Sequence, residues 1–385
     1  MQLTRKGDAA TKVEHWLITL RAPELGGARL VQLAENLGGI SQVVSASRGR
    51  LKQAGLADEA IEAIRNPDQE LLASDSDWLS QPGRHLITWD SERYPALLRD
   101  ISSPPAALFI DGDPEALWQP QVAVVGSRNP TRGGLDNARA FAAELSRRGL
   151  TITSGMASGI DSAAHEAALE AGGLTVAVTG TGLDRVYPAS GQSLAARVCR
   201  QGALVSEFPL GTPPKREHFP SRNRIISGLS LGVLVVEAGL NSGTLITARL
   251  AGNQGRDVFA IPGSIHNPMS KGCHRLIREG ARLVENVNQI IEEIAPLAGQ
   301  LAGELRSQLE LAGLEKLEVA EDDPQLELDS EYRLLWSFLS FDPKPVDVII
   351  EQSGLTARAV SAMLLMLELR GMAEAHPGGA WSRKK

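Results

Sequence analysis

The chain has 385 residues, of which 43% are hydrophobic and 4% aromatic, and its formal net charge is −7 at pH 7. It is too long for one small domain, so we expect two or three domains with hydrophobic cores. No apolar run approaches the roughly 18 residues that a membrane-spanning helix needs, and charges interrupt the N-terminus where a signal peptide would be apolar. Two cysteines, without a CxxC pair or a histidine cluster, predict a cytoplasmic protein with neither disulfide bonds nor a metal site.

The charge is distributed unevenly along the chain. Residues 285–330 contain 12 acidic and 2 basic residues, a local charge of −10, so the remainder of the chain carries +3. Residues 207–282 contain 10 Lys and Arg against 5 Asp and Glu, a local charge of +5. The acidic total therefore does not exclude a nucleic-acid partner for the basic part.

Residues 1–80 predict an N-terminal module of short helices. Apolar residues recur at helical spacing over 13–65, and the breaks fall at Gly26-Gly27, Gly38-Gly39 and Gly55. Such units are typical of SAM-like or helix–hairpin–helix-like modules, which contact DNA in some proteins and other proteins elsewhere, so both roles stay open. Residues 81–118, with several proline turn signals, are predicted to be a connector or extension.

Residues 119–295 alternate short apolar segments with helical patterns. Apolar strands separated by helices predict a parallel sheet covered on both faces, hence an α/β, Rossmann-like domain. Ligands of such sheets bind beyond the carboxyl ends of the strands. The predicted strands are Val122–Val125, Leu150–Thr153, Thr175–Val178, Ala203–Ser206, Gly232–Val236 and Asp257–Ile261.

Two further segments complete the predicted organisation. Residues 296–329 are rich in Glu, Leu and Ala and predict an acidic linker. Residues 330–385 predict a small winged-helix-like domain, because three helical patterns precede a short hairpin. The third helix, Thr356–Arg370, carries only two arginines, so contact with DNA and contact with protein both remain open.

Small polar residues follow several of the predicted strands. Glycines allow backbone N–H groups to approach an anion, and a helix N-terminus adds positive potential. The spacing is not GxGxxG, and each loop taken alone is equally consistent with a structural turn. Several such loops at one sheet edge indicate an extended polyanion or a nucleotide with many polar contacts. The candidate residues are Gly126, Ser127, Arg128, Ser154, Gly155, Gly159, Ser242, Gly243 and Thr244.

Asp161 and His165 are four residues apart, on one face of a predicted helix. An Asp–His pair suits acid–base chemistry, but no serine or cysteine stands on a recognisable nucleophile elbow. We therefore expect Asp161 to cap the helix or to pair with His165. The sequence predicts no catalytic residue and no cofactor.

The segment 219–230 places Arg222, Asn223 and Arg224 just before an apolar strand. Guanidinium groups match phosphate oxygens, so we predict that both arginines, together with Arg128, hold phosphates. Aromatic rings among basic residues bind unpaired bases by stacking, which indicates single-stranded DNA. Weaker candidates for the same surface are Lys215, Arg216 and Phe219.

Taken in chain order, these motifs resemble the DNA-processing protein A family, also called DprA or Smf. The matching runs over about residues 85–290 are VAVVGSR, ITSGMASGID, GTGLDRVYP, LVSEFPLGTPP, FPSRNRIISGLS, VVEAGLNSGTLITA, GRDVFAIPG and GCHRLIREGA. The resemblance implies a non-enzymatic, cytoplasmic homodimer that binds and protects single-stranded DNA. It also implies that the protein helps to load the RecA recombinase in natural transformation or recombination. Within the segment that the resemblance associates with dimer contact, Leu276 and Ile277 are candidates, with core packing as the alternative.

Two other functions remain as alternatives. A nucleotide N-glycosidase of the phosphoribohydrolase type requires a PGGxGTxxE signature. The nearest segment, 240–247, lacks the proline and one glycine and has Thr247 where the glutamate should stand. The other alternative is a non-catalytic sensor of small nucleotides, for which mononucleotides should compete with single-stranded DNA.

Overall fold

A computed structural model of the chain describes residues 2–311, 330–341, 343–369, 372–376 and 379–384. The predicted helical N-terminal module is present and begins with six helices. They are α1 (Gln2–Leu20), α2 (Gly27–Leu37), α3 (Ile40–Ser45), α4 (Arg48–Gln53), α5 (Asp58–Arg65) and α6 (Gln69–Leu79).

The helical module packs directly on the α/β core. Its apolar residues share one buried cluster with Phe109 and Leu204 of the sheet. Arg21 donates two hydrogen bonds of 2.6 Å to the fully buried carboxylate of Asp75 and a third, of 3.2 Å, to the carbonyl oxygen of Leu210. The module is thereby fixed to a loop of the core.

The core contains a sheet of nine strands with helices on both faces. In chain order its elements are β1 (Arg84–Thr88), α7 (Ala96–Arg99), β2 (Ala107–Gly112), β3 (Gln121–Val125), α8 (Arg132–Arg147), β4 (Thr151–Gly155), α9 (Ile160–Glu170), β5 (Thr175–Val178), α10 (Gln192–Gln201), β6 (Gly202–Ser206), α11 (His218–Leu229), β7 (Gly232–Val235), α12 (Thr244–Asn253), β8 (Asp257–Ala260), α13 (Lys271–Arg278), β9 (Arg282–Leu283) and α14 (Val287–Leu311). Short 3₁₀ turns cover Pro114–Leu117, Ala189–Gly191 and Pro268–Ser270.

The strand order is β1-β2-β6-β5-β4-β3-β7-β8-β9, and all neighbours from β6 to β9 are parallel. The predicted Rossmann-like parallel sheet and its six strands are confirmed. Alternate residues of β3 face opposite sides: Val122 and Val124 pack towards α8, α9 and α14, whereas Ala123 and Val125 pack towards α11, α12 and α13. In chain order, β4, β5 and β6 follow one another on one side of β3, and the chain then crosses to the other side of β3, where β7, β8 and β9 lie. The crevice between β3 and β7 is therefore the topological switch point, where ligands of this fold class bind.

Residues 81–118, predicted to be a connector or extension, extend the sheet at one edge. This segment supplies β1 and β2, which pair antiparallel with each other and, through β2, with β6. Leu108, Phe109 and Ile110 are fully buried, so the segment forms one edge of the core. The predicted acidic linker also begins inside a helix, because α14 continues through Pro296 to Leu311; residues 312–329 lie outside the described part.

The C-terminal region has the predicted winged-helix layout. It contains α15 (Ser330–Phe338), β10 (Lys344–Pro345), α16 (Val346–Ser353), α17 (Ala357–Leu369), β11 (Ala373–His376) and β12 (Ala380–Arg383). The strands form a sheet in the order β10-β12-β11 beside a separate apolar cluster that includes Leu335, Ile349 and Leu364. Arg370 of the predicted third helix lies outside the described residues. Within the described ranges, no helix has the length and apolar character that a bilayer-spanning segment needs.

Candidate nucleic-acid interface

The loops that follow β3, β4 and β5 meet α11 at the carboxyl edge of the sheet. They enclose a cavity of about 140 Å³. We call it the edge cavity and define it by six of its lining residues, Arg128, Met156, Thr179, Tyr187, Phe219 and Arg222. It combines two guanidinium groups with two aromatic rings, which is the composition that binds phosphates and unpaired bases.

Arg128 is exposed, and hydrogen bonds to neighbouring segments hold its loop in place. Its guanidinium carbon lies 5.6 Å from the centre of the Phe219 ring. The preceding Ser127 donates its backbone N–H to the carbonyl oxygen of Glu237 (2.8 Å) and accepts at its own carbonyl from the N–H of Ile160 (3.1 Å). Within the described residues no carboxylate forms an ion pair with Arg128, so its charge is available to a ligand.

Arg222 lies under the cavity and is only 5% exposed. It donates from Nη1 to the carbonyl oxygen of Val178, whereas its Nε has no hydrogen-bond partner among the described residues. Gly155 at the end of β4 makes this position possible, because a Cβ there would lie 2.2 Å from Nη1. Burial lowers the pKa of Arg222 to about 10, so the group is still a cation at neutral pH.

The structure corrects the prediction for Arg224. Its Nη1 and Nη2 donate to the two carboxylate oxygens of Glu207 (2.7 and 2.6 Å), and its Nε donates to the carbonyl oxygen of Ser103 (2.8 Å). Residues two apart on a helix point about 200° apart, so Arg224 faces away from Arg222. The guanidinium of Arg224 is already bound inside the protein and is not free for phosphate. Asn223, between the two arginines, is half-buried.

Two aromatic side chains form the side of the edge cavity. The ring centres of Tyr187 and Phe219 lie 5.7 Å apart at an interplanar angle of 43°, and Tyr187 is 45% exposed. Tyr187, in the loop after β5, is one of the aromatic rings among basic residues that the sequence associates with unpaired bases. Lys215 and Arg216 are exposed in the loop before α11 and have no ion-pair partner in the described part of the chain.

Several of the predicted hydroxyl donors form hydrogen bonds within the protein. Ser154 is fully buried and donates to the carbonyl oxygen of Val124 (2.7 Å). Ser242 donates to Thr244 Oγ1 (2.9 Å), which in turn donates to the carbonyl oxygen of Gly126 (3.0 Å). Ser154 therefore links two neighbouring strands, Thr244 links the start of α12 to the loop after β3, and these hydroxyls donate within the protein. Gly243 is the N-cap residue of α12.

The predictions for Asp161 and His165 are also corrected. The N-cap residue of α9 is Gly159, not Asp161. His165 hydrogen-bonds through Nδ1 to Thr175 Oγ1 (2.6 Å) and through Nε2 to the carbonyl oxygen of Gly155 (3.0 Å). Burial raises the pKa of Asp161 to about 6, with the charge of Arg222 acting against this rise.

The predicted dimer-contact residues are not equivalent. Leu276 is 7% exposed and packs in the core, which agrees with the core-packing alternative. Ile277 is half-buried against the same cluster. Among the described residues, no group of three or more His, Cys, Asp and Glu side chains is arranged to bind a metal ion.

The fold and this edge define a Rossmann-like α/β protein with a winged-helix domain and a basic, aromatic cavity at the carboxyl ends of its strands. Residues 85–295 match the family described as DNA recombination-mediator protein A, and residues 319–379 match the DprA winged helix domain. The chain belongs to the DprA/Smf family, as the sequence motifs predicted.

Individual relatives agree with this assignment. Protein Smf of Escherichia coli is 41% identical over 372 residues, which cover 95% of this chain and 94% of that protein. The DNA processing protein DprA of Streptococcus pneumoniae is 40% identical over 271 residues, covering 63% and 96%.

Two solved structures extend the comparison. The X-ray structure of DprA from Streptococcus pneumoniae has a TM-score of 0.63 at 36% identity and covers 73% of this chain and 97% of that one. A structure of DNA processing protein A from Helicobacter pylori, described for its unique single-stranded DNA binding mode, has a TM-score of 0.50 at 29% identity and covers 55% and 96%.

Proposed function

We propose that the protein binds single-stranded DNA at the edge cavity and acts as a cytoplasmic recombination mediator. In this role it protects incoming strands and helps to load the RecA recombinase during natural transformation or recombination. Membership of the DprA/Smf family supports the proposal, as does the single-stranded DNA binding mode described for the Helicobacter pylori relative.

The observation that carries the proposal is the convergence of Arg128, Arg222, Tyr187 and Phe219 on one cavity. An exposed and a buried guanidinium provide positive charge for the phosphates. The neighbouring rings offer a surface for unpaired bases, which a duplex keeps stacked inside. Contacts of this kind do not read a sequence, so binding is expected to be independent of base order.

The alternative of a nucleotide N-glycosidase is not favoured. Thr247, at the position of the required glutamate, lies in α12 and is 2% exposed. A threonine hydroxyl cannot replace a carboxylate in general acid–base chemistry at the ribosyl bond.

The first experiment measures binding of a fluorescent thymidine oligonucleotide by polarisation over a range of salt. On a single strand the logarithm of affinity falls by about 0.7 per log unit of salt for each phosphate neutralised. Arg128→Ala should therefore lower affinity and reduce the slope by about that amount. Arg224→Gln is the matched control, because its guanidinium is bound to Glu207. Measured under conditions in which circular dichroism shows the variant to be folded, its slope should equal that of the wild type. A wild-type affinity that does not depend on salt would refute the proposal.

The mediator role is tested with RecA itself. The protein should shorten the lag before RecA hydrolyses ATP on single-stranded DNA, and Arg128→Ala should lose this effect in proportion to its lost affinity. A lag that the wild-type protein leaves unchanged would separate DNA binding from RecA loading and remove the second part of the proposal.

The proposal includes a homodimer, in which two edge cavities act on one strand. Binding at the second cavity is then intramolecular, which raises the apparent affinity for strands long enough to reach both. Ile277→Glu should yield monomers in sedimentation and weaken binding to long strands more than to short ones. Equal losses for both lengths would contradict the bivalent arrangement.

A further inference from the structure

A buried carboxylate occupies the crevice at the topological switch point. Glu237 lies two residues after the end of β7, where the chain has returned to the other side of β3, and it is 6% exposed. Within the described residues no Lys or Arg forms an ion pair with it, so neutral donors hold its side chain in place.

Three hydrogen bonds reach the Glu237 carboxylate. Oε2 accepts from the backbone N–H of Thr131 (2.8 Å), and Oε1 accepts from Thr131 Oγ1 (2.7 Å) and from Asn267 Nδ2 (3.2 Å). Thr131 lies in the loop after β3, and Asn267 in the loop after β8. The carboxylate therefore joins the ends of three neighbouring strands.

The same carboxylate lies against the first turn of α8. Thr131 is the N-cap residue of this helix and accepts from the N–H of Gly134 (3.1 Å). A Cβ at Gly134 would lie 2.5 Å from the Glu237 carboxylate, so only glycine fits beneath it. In Rossmann-like folds the N-terminus of the first helix is the place for a ligand phosphate. Here a side chain of the protein fills it.

Glu237 also holds both sides of the loop that carries Arg128. Its carbonyl oxygen accepts from the N–H of Ser127, one residue before the arginine, at 2.8 Å. Its carboxylate accepts from Thr131, three residues after the arginine. The exposed arginine is thus presented from a loop fixed at two points by one residue.

We infer that Glu237 is a positioning residue: its carboxylate acts as an internal substitute for phosphate at the N-terminus of α8 and thereby orients Arg128 towards the edge cavity. The inference rests on the proposed function for its effect on DNA. It also means that the switch-point crevice is closed to nucleotide phosphates, and that DNA uses the neighbouring cavity instead.

A double-mutant cycle on affinity for the labelled thymidine oligonucleotide tests the positioning role. The variants are Glu237→Gln, which keeps the shape and removes the charge, Arg128→Ala, and the two combined. Glu237→Gln alone should weaken binding about tenfold, and it should have no further effect once Arg128 is absent, because coupled residues are not additive. A merely structural role predicts that the two losses add, and that result would overturn the inference.

Glu207→Gln is the matched control for the cycle, because Glu207 is a half-buried carboxylate after β6 that pairs with Arg224 instead. It should not couple to Arg128→Ala. Thr131→Val provides a second variant, which removes the hydroxyl donor to Glu237 and should show the same non-additivity as Glu237→Gln. If the affinity losses of both Glu237→Gln and Thr131→Val simply added to that of Arg128→Ala, the positioning role would be rejected, even if one of the variants folded poorly.

A measurement without DNA tests whether the Glu237 carboxylate takes the place of a phosphate at the N-terminus of α8. In Glu237→Ala the helix N-terminus is vacated, so inorganic phosphate should raise the thermal unfolding midpoint in a saturable manner, and the wild type should show no such saturable rise. An absent or identical response would refute the phosphate-like position of the carboxylate. If Arg128→Ala bound DNA like the wild type, Arg128 would have no part in the proposed function, and the positioning role of Glu237 would be refuted as well. The phosphate experiment would still test independently whether the Glu237 carboxylate occupies a phosphate position.

Discussion

Asp161 and His165, both buried on α9, should make opposite contributions to stability in acid. Burial raises the pKa of Asp161 from its ordinary value of 3.8 to about 6. Burial lowers the pKa of His165 from 6.5 to about 4. Each change corresponds to roughly 3 kcal/mol, at about 1.4 kcal/mol for each pKa unit.

The two contributions have opposite signs. Between pH 3.8 and about 6 the folded state keeps the Asp161 proton that the unfolded state has lost, so this stabilisation is present in acid and is lost as pH rises. Between about pH 4 and 6.5 the unfolded state binds a proton at His165 that the folded state does not, so this stabilisation is lost as pH falls. In the wild type the two effects nearly cancel over the shared range.

Asp161→Asn removes the pH-dependent contribution of Asp161 and leaves that of His165. Relative to the wild type, the free energy of unfolding of this variant should fall by roughly 3 kcal/mol between about pH 6 and pH 4. Urea denaturation followed by circular dichroism at several pH values measures it, and other titrating groups drop out of the comparison. His165→Asn should show the opposite trend and gain stability relative to the wild type as pH falls. If the Asp161→Asn curve ran parallel to the wild-type curve, the raised pKa of Asp161 would be refuted.

Two further substitutions test the arrangement around α11. Gly155→Ala should displace the Arg222 guanidinium, because Nη1 would otherwise lie 2.2 Å from the new Cβ. Binding of single-stranded DNA should then weaken about tenfold, as expected for loss of a charge-assisted hydrogen bond. Gly252→Ala is the control and should bind as the wild type does, because its Cβ would have no other atom within 4 Å. Arg224→Gln should lower the free energy of unfolding by up to about 3–5 kcal/mol in urea denaturation, because it leaves the Glu207 carboxylate, whose side chain is 11% exposed, without its partner. A loss below about 1 kcal/mol would mean that the pair behaves as an exposed one.

The parts of the fold that the sequence predicts correctly are those with a local signal. The six predicted strands are short, continuous apolar runs, a pattern typical of strands buried on both faces. At the antiparallel edge only β2 (Ala107–Gly112) contains such an apolar run, whereas its partner β1 (Arg84–Thr88) is partly buried and lies about twenty residues earlier. Its pairing depends on contacts distant in sequence, which composition alone does not reveal.

The two arginines of α11 show the corresponding limit for the site. Arg222, Ile225, Ile226 and Leu229 are all buried, which is the i, i+3, i+4, i+7 pattern of one helix face. Reading that pattern as a helix would have placed Arg222 on the buried side and Arg224 away from it. The partner of Arg224 at Glu207 is seventeen residues distant, so the ion pair itself had no local signal.

The braced loops give a physical reason for a mediator to bind DNA in this way. Hydrogen bonds from Ile160, Thr131 and Thr244 join the loop of Arg128 to neighbouring loops, so little conformational entropy is lost when a strand binds there. The arginine itself is exposed, and an exposed ion pair contributes only about 0–1 kcal/mol. Under the proposed function, a rigid loop that offers weak contacts lets a bound strand be released one contact at a time. The proposed transfer of a strand to a recombinase fits this arrangement, because a competitor for the same phosphates can displace the protein one contact at a time.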